Sequence, residues 1–366
     1  MRQTLSLLTA FIAKPLLLHQ HRNNTPIQLS AFFNKMSKPV DPSSSSSSSS
    51  SKDDLDLSSI EKFAHKKGDA LFGYLEQCQL ESTPSGCFGR FLDAGTGTHS
   101  LRWMASIIHR ERLLAKTDNS GESSASPDIS MKSYVAITAD ETMRKNVYKQ
   151  AKDLGIESHG SVIIGNWKTG IKVSEEENGG IEFDDSGDAL LQGEQFDTIL
   201  ADYLVGAIDG FSPYFQDQIF HRLVKHLAPG GRLYIIGLQP IPDSVDGDAN
   251  VFCKITKVRD ACILLAEHRC YREYPLDWIE RHVKRAGLKV VESKKYPIRY
   301  DFSTMLRQIN VGRSKLKLFP TKGLGKEMGR VLDELEEECR EVTNRQKDGR
   351  ITLGFDYVVV AERPNE

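Results

Sequence analysis

Cysteine is scarce in this sequence and shows no organised spacing. The 366 residues contain six cysteines, and no two of them form a CxxC pair or a zinc-ligand pattern. At this density a disulfide framework is not expected, so the composition favours a reducing compartment and predicts no metal site. The cysteines are Cys78, Cys87, Cys253, Cys262, Cys270 and Cys339.

An excess of positive charge is also absent. Forty-eight Lys and Arg residues stand against 50 Asp and Glu residues, which gives a formal net charge of −2. A dedicated nucleic-acid binder would need a basic face large enough to tip this balance. The one long apolar stretch lies near the N-terminus, where Lys14 and Pro15 interrupt it well short of the roughly 20 residues of a membrane span. We therefore predict neither a nucleic-acid partner nor a membrane partner.

Acidic residues are missing from residues 1–40, which carry several Lys and Arg residues among apolar clusters. A basic, acid-free start is typical of organelle import signals, so we predict a targeting segment at 1–40, mitochondrial rather than plastid. A disordered tail without an address is the alternative, and a start at Met36 would leave a cytosolic form. Nine consecutive serines follow from Ser43, so residues 41–54 are predicted to be a disordered linker before a folded domain at 55–366.

Within the predicted domain, apolar runs alternate with amphipathic helical stretches. This alternation is typical of an α/β protein with a doubly wound, mostly parallel sheet covered on both faces. Two helical insertions, at 240–275 and 297–348, are predicted to form a cap. In such sheets ligands bind at the carboxyl ends of the strands, near the point where the strand order reverses. The seven predicted strands are 88–94, 134–141, 160–167, 196–205, 232–237, 288–293 and 351–363.

Polar residues and glycines follow the first four predicted strands. The first strand leads into a turn whose glycines allow close approach of a ligand, the second into a carboxylate suited to a ribose diol. The third leads into an amide beside a flat ring suited to an adenine. Each feature alone has a commoner explanation, such as a helix N-cap or core packing, but four in order on successive strands indicate a nucleotide-like cofactor. The residues are Asp93, Gly95, Gly97 and Thr98, then Asp140, then Asn166 and Trp167, then Asp202 and Tyr203.

These stretches resemble the class I S-adenosylmethionine-dependent methyltransferases. The matching segments are FLDAGTGTHS, VAITADE, VIIGNW, FDTILADYLVGA and LVKHLAPGGRLYIIG. The resemblance implies a seven-stranded Rossmann-like sheet and S-adenosylmethionine as the cofactor. It also assigns the strand-end residues to parts of the cofactor: Asp93, Gly95, Gly97 and Thr98 to the methionine part, Asp140 to the ribose, Asn166 and Trp167 to the adenine, and Asp202 to the neighbourhood of the methyl donor. His99 departs from the pattern, since many members have glycine there.

The methyl acceptor is less well defined by the sequence. Members of that family that methylate amide or adenine nitrogens commonly have Asn-Pro-Pro-Tyr after the fourth strand, where this sequence has ADYL. No zinc-ligand set is present either, so the resemblance implies a small molecule as the acceptor. Arg307 is predicted to clamp a carboxylate on it, with a solvated basic face as the alternative. Tyr203, His268 and Tyr271 are further candidates for substrate binding, and an oxygen acceptor would need Asp202, Tyr203 or His268 as a base. Whether oxygen, nitrogen or sulfur is methylated stays open, as does the oligomeric state.

Two other functions remain as alternatives. A nicotinamide-dependent dehydrogenase needs a third glycine where Ser100 stands, and an acidic residue about 20 positions later, whereas Asp140 lies much further along. An inactive homologue that binds the cofactor and acts as a partner subunit would keep the same strand-end carboxylates.

Overall fold

The computed structural model describes residues 60, 69–83, 86–115, 129–168, 172–173, 181–182 and 190–365. The predicted targeting segment at 1–40 and the serine-rich linker at 41–54 lie outside these residues. The described residues all belong to the compact unit spanning 40–366.

A seven-stranded sheet forms the centre of this unit, in the order β3-β2-β1-β6-β7-β9-β8. Its first five strands are parallel, and β9 runs antiparallel to both of its neighbours. This confirms the predicted α/β class with a doubly wound, mostly parallel sheet. The strands are β1 (Arg90–Asp93), β2 (Ser133–Thr138), β3 (Gly160–Ile164), β6 (Phe196–Asp202), β7 (Leu227–Leu238), β8 (Lys289–Asp301) and β9 (Arg350–Glu362), with a separate hairpin of β4 (Lys172–Val173) and β5 (Ile181–Glu182).

Ten α-helices accompany the sheet in the described part of the chain. Several begin at a side chain that accepts a backbone N–H, as Asp140 does from Met143 and Asp301 from Thr304. They are α1 (Ala70–Ser82), α2 (Thr98–Ile108), α3 (Arg110–Ala115), α4 (Glu141–Asp153), α5 (Leu204–Ala207), α6 (Ile219–Val224), α7 (Asn250–Leu265), α8 (Leu276–Arg285), α9 (Phe302–Lys315) and α10 (Lys322–Arg345). No helix among the described residues is both long and apolar enough to span a membrane.

Two apolar cores cover the two faces of the sheet. Along β6, Leu200 belongs to one core, whereas Ile199 and Ala201 belong to the other. Successive side chains of a strand point to opposite faces, so a continuous apolar run supplies both cores at once. In β6 the buried stretch from Ile199 to Ala201 is entirely apolar, and the polar residues lie toward the two ends of the strand.

A third core lies in the predicted cap. Helices α7, α9 and α10 bury Cys262, Ile309 and Leu332 against one another, together with Tyr300 of β8 and Ile351 of β9. The helices therefore lie within the predicted insertions at 240–275 and 297–348, but the second insertion begins as strand, because β8 continues to Asp301.

Several predicted boundaries are wrong at the strand ends. The second strand ends at Thr138 because Asp140 caps α4, and the fourth ends at Asp202 because α5 begins at Leu204. The fifth strand also begins earlier than predicted, at Leu227, so that the Pro-Gly-Gly segment at 229–231 lies within β7. There Gly230 has a φ of 72°, a left-handed conformation that glycine adopts without strain, so the strand accommodates the irregularity.

The chain reverses its direction across the sheet beside β1. It adds β2 and β3 on one side, then crosses to place β6 and β7 on the other. The switch point therefore lies between β1 and β6. Open α/β sheets bind their ligands at such a point, at the carboxyl ends of the strands. Asp93 ends β1 and Asp202 ends β6, so the topology brings these two predicted site residues to neighbouring strands.

Candidate functional site

Asp93 is a fully buried carboxylate at the end of β1. Its Oδ2 accepts a hydrogen bond from Ser100 Oγ at 2.6 Å, while its Oδ1 accepts none from the described residues. Burial raises the pKa of Asp93 to about 6, against the opposing effect of the Ser100 hydrogen bond. A buried oxygen without a donor is costly for the protein alone and suits a ligand that brings a donor.

The loop after Asp93 passes close to β6 and then starts α2. A Cβ added at Gly95 would lie 2.8 Å from Leu204 Cδ1, so only glycine fits without displacing that side chain. Gly97 precedes α2 and provides no side-chain cap, and Thr98 is the first helical residue. The backbone N–H groups of this first turn are therefore available to an anionic group of a ligand.

Asp140 lies two residues beyond β2 and caps α4. Its Oδ1 accepts the backbone N–H of Met143 at 2.8 Å, which is the commoner explanation weighed for an acidic residue at this position. The two interpretations are compatible, because a carboxylate has two oxygens and this capping bond uses one lone pair of one of them.

Asn166 and Trp167, predicted to contact an adenine, are held by other parts of the protein. Asn166 Oδ1 accepts Ser212 Oγ at 2.6 Å and the backbone N–H of Lys168 at 3.0 Å. Trp167 is 4% exposed and its indole N–H donates to the Ala94 carbonyl at 2.7 Å. The Trp167 ring therefore packs in the core beneath the loop that follows Asp93, and this packing supports that loop.

Asp202 and Tyr203 lie at the end of β6, one strand from Asp93. Asp202 is 8% exposed, and its pKa is well above the usual range because of burial and the nearby charges of Asp93, Asp69 and Asp356. Tyr203 has a φ of 49°, a left-handed conformation that is uncommon for an aromatic residue and that marks functional sites when it is held in place. Burial and the charge of Asp356 also raise the pKa of Tyr203, so its hydroxyl is a hydrogen-bond donor at neutral pH and a poor base.

Asp356 adds a carboxylate from β9 that the sequence analysis did not select. Its pKa is raised to about 6 by burial, against the effect of a hydrogen bond from the Tyr203 hydroxyl. A signal for it existed in the sequence, since Asp356 interrupts the apolar run at 355–361. The sequence pattern did not single out Ser100 or Asp69 either. Only the folded chain shows that Ser100 donates to Asp93 and that Asp69 lies near Asp202.

Asp69 connects the site to α1. It caps that helix by accepting the Leu71 N–H at 2.8 Å, and its other oxygen pairs with His99 Nε2 at 2.9 Å. Burial alone would raise the pKa of Asp69, but the hydrogen bonds from His99 and Leu71 outweigh it and lower that pKa. His99, the departure from the family pattern, thus joins α1 to the start of α2.

Tyr271 and His268, two predicted acceptor contacts, lie in different surroundings. The pKa of Tyr271 is raised to about 12 by burial and by the charge of Glu273, whose own pKa burial raises to about 7. A Cβ at Gly206 would lie 2.7 Å from Glu273 Oε2, which places this carboxyl against α5, directly after Tyr203. His268 Nδ1 lies 3.1 Å from Lys315 Nζ, and burial and this ammonium lower the pKa of His268.

Arg307, predicted to clamp a carboxylate, is exposed on the first turns of α9, and its side chain donates to Thr304 Oγ1 at 2.9 Å. This hydrogen bond stays within its own helix. The neighbouring Met305 and Ile309 are buried, and this helical phase turns Arg307 outward.

A cavity of about 420 Å³ opens at the opposite edge of the sheet, near the amino-terminal ends of the strands. Lys132, Asp197, Arg232 and Glu362 are among the residues that line it. Arg232 and Glu362 pair with each other at 3.5 Å, and no predicted site residue lies there. The carboxyl ends of the strands, where the buried unpaired carboxylates lie, remain the candidate site.

Comparison with known proteins gives no match to a protein-family model and none to a curated protein. Among solved structures, the chain is similar to a SAM-dependent methyltransferase from Geobacter sulfurreducens in complex with S-adenosyl-L-homocysteine, at 14% identity over 84% of this chain and 98% of that one, with a TM-score of 0.38. A SAM-dependent methyltransferase from Thiobacillus denitrificans in the same kind of complex gives the same identity, coverages and TM-score. The cyclase SpnF is similar at 12% identity over 80% of this chain and 81% of that one, with a TM-score of 0.37.

The order of the sheet and the residues at its strand ends, rather than those similarities, carry the structural assignment. The sheet has seven strands, with Asp93 at the end of β1, Asp140 just after β2 and Asp202 at the end of β6. This arrangement agrees with what the resemblance to the methyltransferases implies. The chain has a doubly wound α/β fold with a mostly parallel seven-stranded sheet, which is the fold that the resemblance to the methyltransferases implies.

Proposed function

We propose that this protein transfers a methyl group from S-adenosylmethionine to a small molecule. The observation that carries the proposal is the buried Oδ1 of Asp93, which lacks a donor among the described residues and lies beside a glycine loop at the switch point. An ammonium group such as that of the methionine part would supply the missing donor, so the site fits this cofactor.

The other residues of the site fit the same ligand. The uncapped first turn of α2, at Gly97 and Thr98, suits the carboxylate of the methionine part. Asp140 suits the ribose hydroxyls through its second oxygen. Asn166 Nδ2 donates to the Phe211 carbonyl at 3.5 Å, which leaves one of its two N–H groups for a ligand. The buried Trp167 contributes by supporting the loop at Ala94.

When bound, S-adenosylmethionine supplies an activated methyl group on a positively charged sulfur. The residues of this chain would then have to orient the acceptor, remove water from around it and accept any proton it loses. Asp202 is buried and lies one strand from Asp93, so it is the carboxylate best placed beside the reacting groups. The Tyr203 hydroxyl donates a hydrogen bond to Asp356 in the same site.

A carboxylate-bearing acceptor held by Arg307 was the more specific expectation from the sequence. The exposed position of Arg307 and the acidic character of the site do not favour it. The carboxylate preference stays a prediction, which the Arg307→Ala variant described below tests.

Binding of the cofactor is the first test. Titration calorimetry should show binding of S-adenosylmethionine and its demethylated product but not of NADH, and saturating cofactor should raise the melting temperature. A ligand at a hundred times its Kd stabilises the native state by about 2.7 kcal/mol. Asp93→Ala should weaken binding about tenfold to a hundredfold, because a charge-assisted hydrogen bond is lost.

Asp153→Asn is the matched control, since this exposed aspartate ends α4 and should leave the affinity unchanged. Binding of NADH without S-adenosylmethionine would instead support the dehydrogenase. Binding of the cofactor without release of its demethylated product, when the protein is incubated with a small-molecule extract, would support the inactive partner subunit.

We also propose that residues 1–40 direct import into an organelle, with the mitochondrion favoured over the plastid. The support is the acid-free, basic composition of this segment. Residues 1–52 fused to a fluorescent protein should enter the organelle, while a fusion that begins at Met36 should stay in the cytosol. A diffuse signal from the longer fusion would contradict the proposal.

A further inference from the structure

The strand-end site has an unusual charge balance. Asp93, Asp202 and Asp356 are carboxylates on β1, β6 and β9, and Asp69 joins them from the start of α1. Of these four, only Asp69 has an ion pair among the described residues, with His99. No Lys or Arg of the described residues forms an ion pair with the other three. A cation bound among these carboxyl groups would favour their ionised form, whereas an anion would oppose it.

Asp202 is the residue that points to a ligand. Its side chain is more than nine-tenths buried, and none of the described residues donates a hydrogen bond to it. Buried carboxylates normally have such partners, so its missing donor is best supplied from outside the chain. The neighbouring Tyr203 is held in a left-handed conformation, and its hydroxyl faces Asp356 rather than Asp202.

The sheet register gives the spacing between Asp202 and Asp356. Asp202 pairs with Ile236 of β7, and Asp356 pairs with Leu238 of the same strand, so the two carboxylates flank β7 at one edge. Two strand spacings, roughly 9 to 10 Å, separate β6 from β9, and the step from Ile236 to Leu238 adds roughly 7 Å along β7. The backbones of Asp202 and Asp356 are therefore roughly 12 Å apart. Ile236 and Leu238 lie on the same face of β7, so the two carboxylates lie on one face of the sheet.

Asp356 is too distant to serve the cofactor ammonium at Asp93. Three strand spacings, roughly 14 Å, separate β1 from β9 in the order β1-β6-β7-β9. The negative charge on β9 therefore extends beyond the part of the site assigned to the methionine group, toward the space an acceptor would occupy.

From this arrangement we propose that the methyl acceptor is a small amine, bound as its ammonium form between Asp202 and Asp356. The inference rests on the proposed methyl transfer and names its substrate class. Asp202, beside the methyl donor, orients the nitrogen, and Asp356 with the Tyr203 hydroxyl contacts it from the far side. A neutral alcohol would leave the two carboxylates without compensation, and a carboxylic acid would add a further negative charge.

Methylation of an amine also balances in protons. The ammonium first gives one proton to Asp356, which passes it to water. The freed lone pair of the nitrogen forms the bond to the methyl carbon, and the electron pair of the broken sulfur–carbon bond stays on sulfur. The product is the methylated ammonium together with the neutral thioether and one released proton.

Calorimetric titration of the full chain saturated with S-adenosyl-L-homocysteine tests the proposal. The probes are propyl, benzyl, phenethyl and imidazolylethyl skeletons, each offered as its amine, its alcohol and its carboxylic acid. We expect at least one amine to bind about tenfold or more tightly than the alcohol and acid of its skeleton. Asp356→Asn should reduce that amine's affinity about tenfold to a hundredfold and leave the alcohol's affinity unchanged.

Asp243→Asn is the control, because the side chain of Asp243 is 98% exposed, and this variant should bind the amine as the unmodified protein does. An unchanged affinity for S-adenosyl-L-homocysteine shows that the Asp356→Asn protein is folded. The proposal is overturned if no amine is preferred over its alcohol, or if Asp356→Asn weakens S-adenosyl-L-homocysteine as much as the amine. If the protein prefers amines but does not bind S-adenosyl-L-homocysteine, the amine site stands and the proposed methyl transfer is overturned.

Discussion

The strand-end site and the helical cap arrange their charges in opposite ways. At the strand ends, Asp93, Asp202 and Asp356 share one sign, are withdrawn from water and form no ion pair in the described part of the chain. In the cap, Arg313 of α9 pairs with Asp333 at 2.7 Å and with Glu336 at 2.6 Å, both on the surface of α10. Alternating charges at a surface change the free energy of unfolding only slightly. Several acidic groups buried together lower the stability, and such clusters are typical of functional sites.

The energetic consequence appears in the pH dependence of stability. Because the folded state raises the pKa of Asp93 to about 6 from 3.8, it holds a proton that the unfolded chain has already lost. The free energy of unfolding should therefore fall as pH rises from about 4 to 6 and stay reduced above that range.

The largest effect is expected from Asp93→Asn in the absence of cofactor. Removing a buried charge should stabilise the protein at pH 7 by about 2 to 3 kcal/mol. It should also reduce the fall in stability between pH 4 and 6, to which Asp356 contributes as well because its pKa is likewise raised to about 6. Thermal melts of both proteins across this pH range measure the difference. Parallel curves for the two proteins would show that Asp93 is not the carboxylate whose ionisation opposes folding.

A smaller effect is expected from Arg313→Ala in the cap. Its side chain is 29% exposed and its two ion pairs lie at the surface, so the loss should be about 0.2 to 1 kcal/mol, and less in high salt. Chemical denaturation at low and high salt measures both quantities. A loss of several kcal/mol that salt does not reduce would mean that cap charges behave as buried ones, which would remove the contrast with the strand ends.

The smallest effect is expected from Arg307→Ala. The exposed guanidinium bonds only to Thr304 among the described residues, so stability should change by less than about 0.5 kcal/mol and cofactor affinity should stay the same. Once an acceptor is identified, its KM should also be unchanged. A tenfold or greater rise in that KM would restore the carboxylate clamp and contradict an amine acceptor.

Much of the fold could be predicted from local pattern. The apolar runs that became β1, β6 and β9 bury side chains on both faces, so no register had to be known to recognise a covered, mostly parallel sheet. The helices of the cap followed from their periodicity, as the buried Met305 and Ile309 show. Boundaries were less accurate where capping decided them, because the carboxylate that ends a strand can also begin the next helix, as Asp140 does.

The sequence by itself determined which residues follow each strand, and therefore that Asp93, Asp140 and Asp202 meet at one edge of the sheet. Only the tertiary structure decided what surrounds them. It brought Asp356 from the far end of the chain to within two strands of Asp202, buried Trp167 under Ala94 and turned Arg307 to solvent. The reason is physical: strand order and burial arise from contacts between distant segments, and the same residue is a solvated charge or a costly buried one according to those contacts alone.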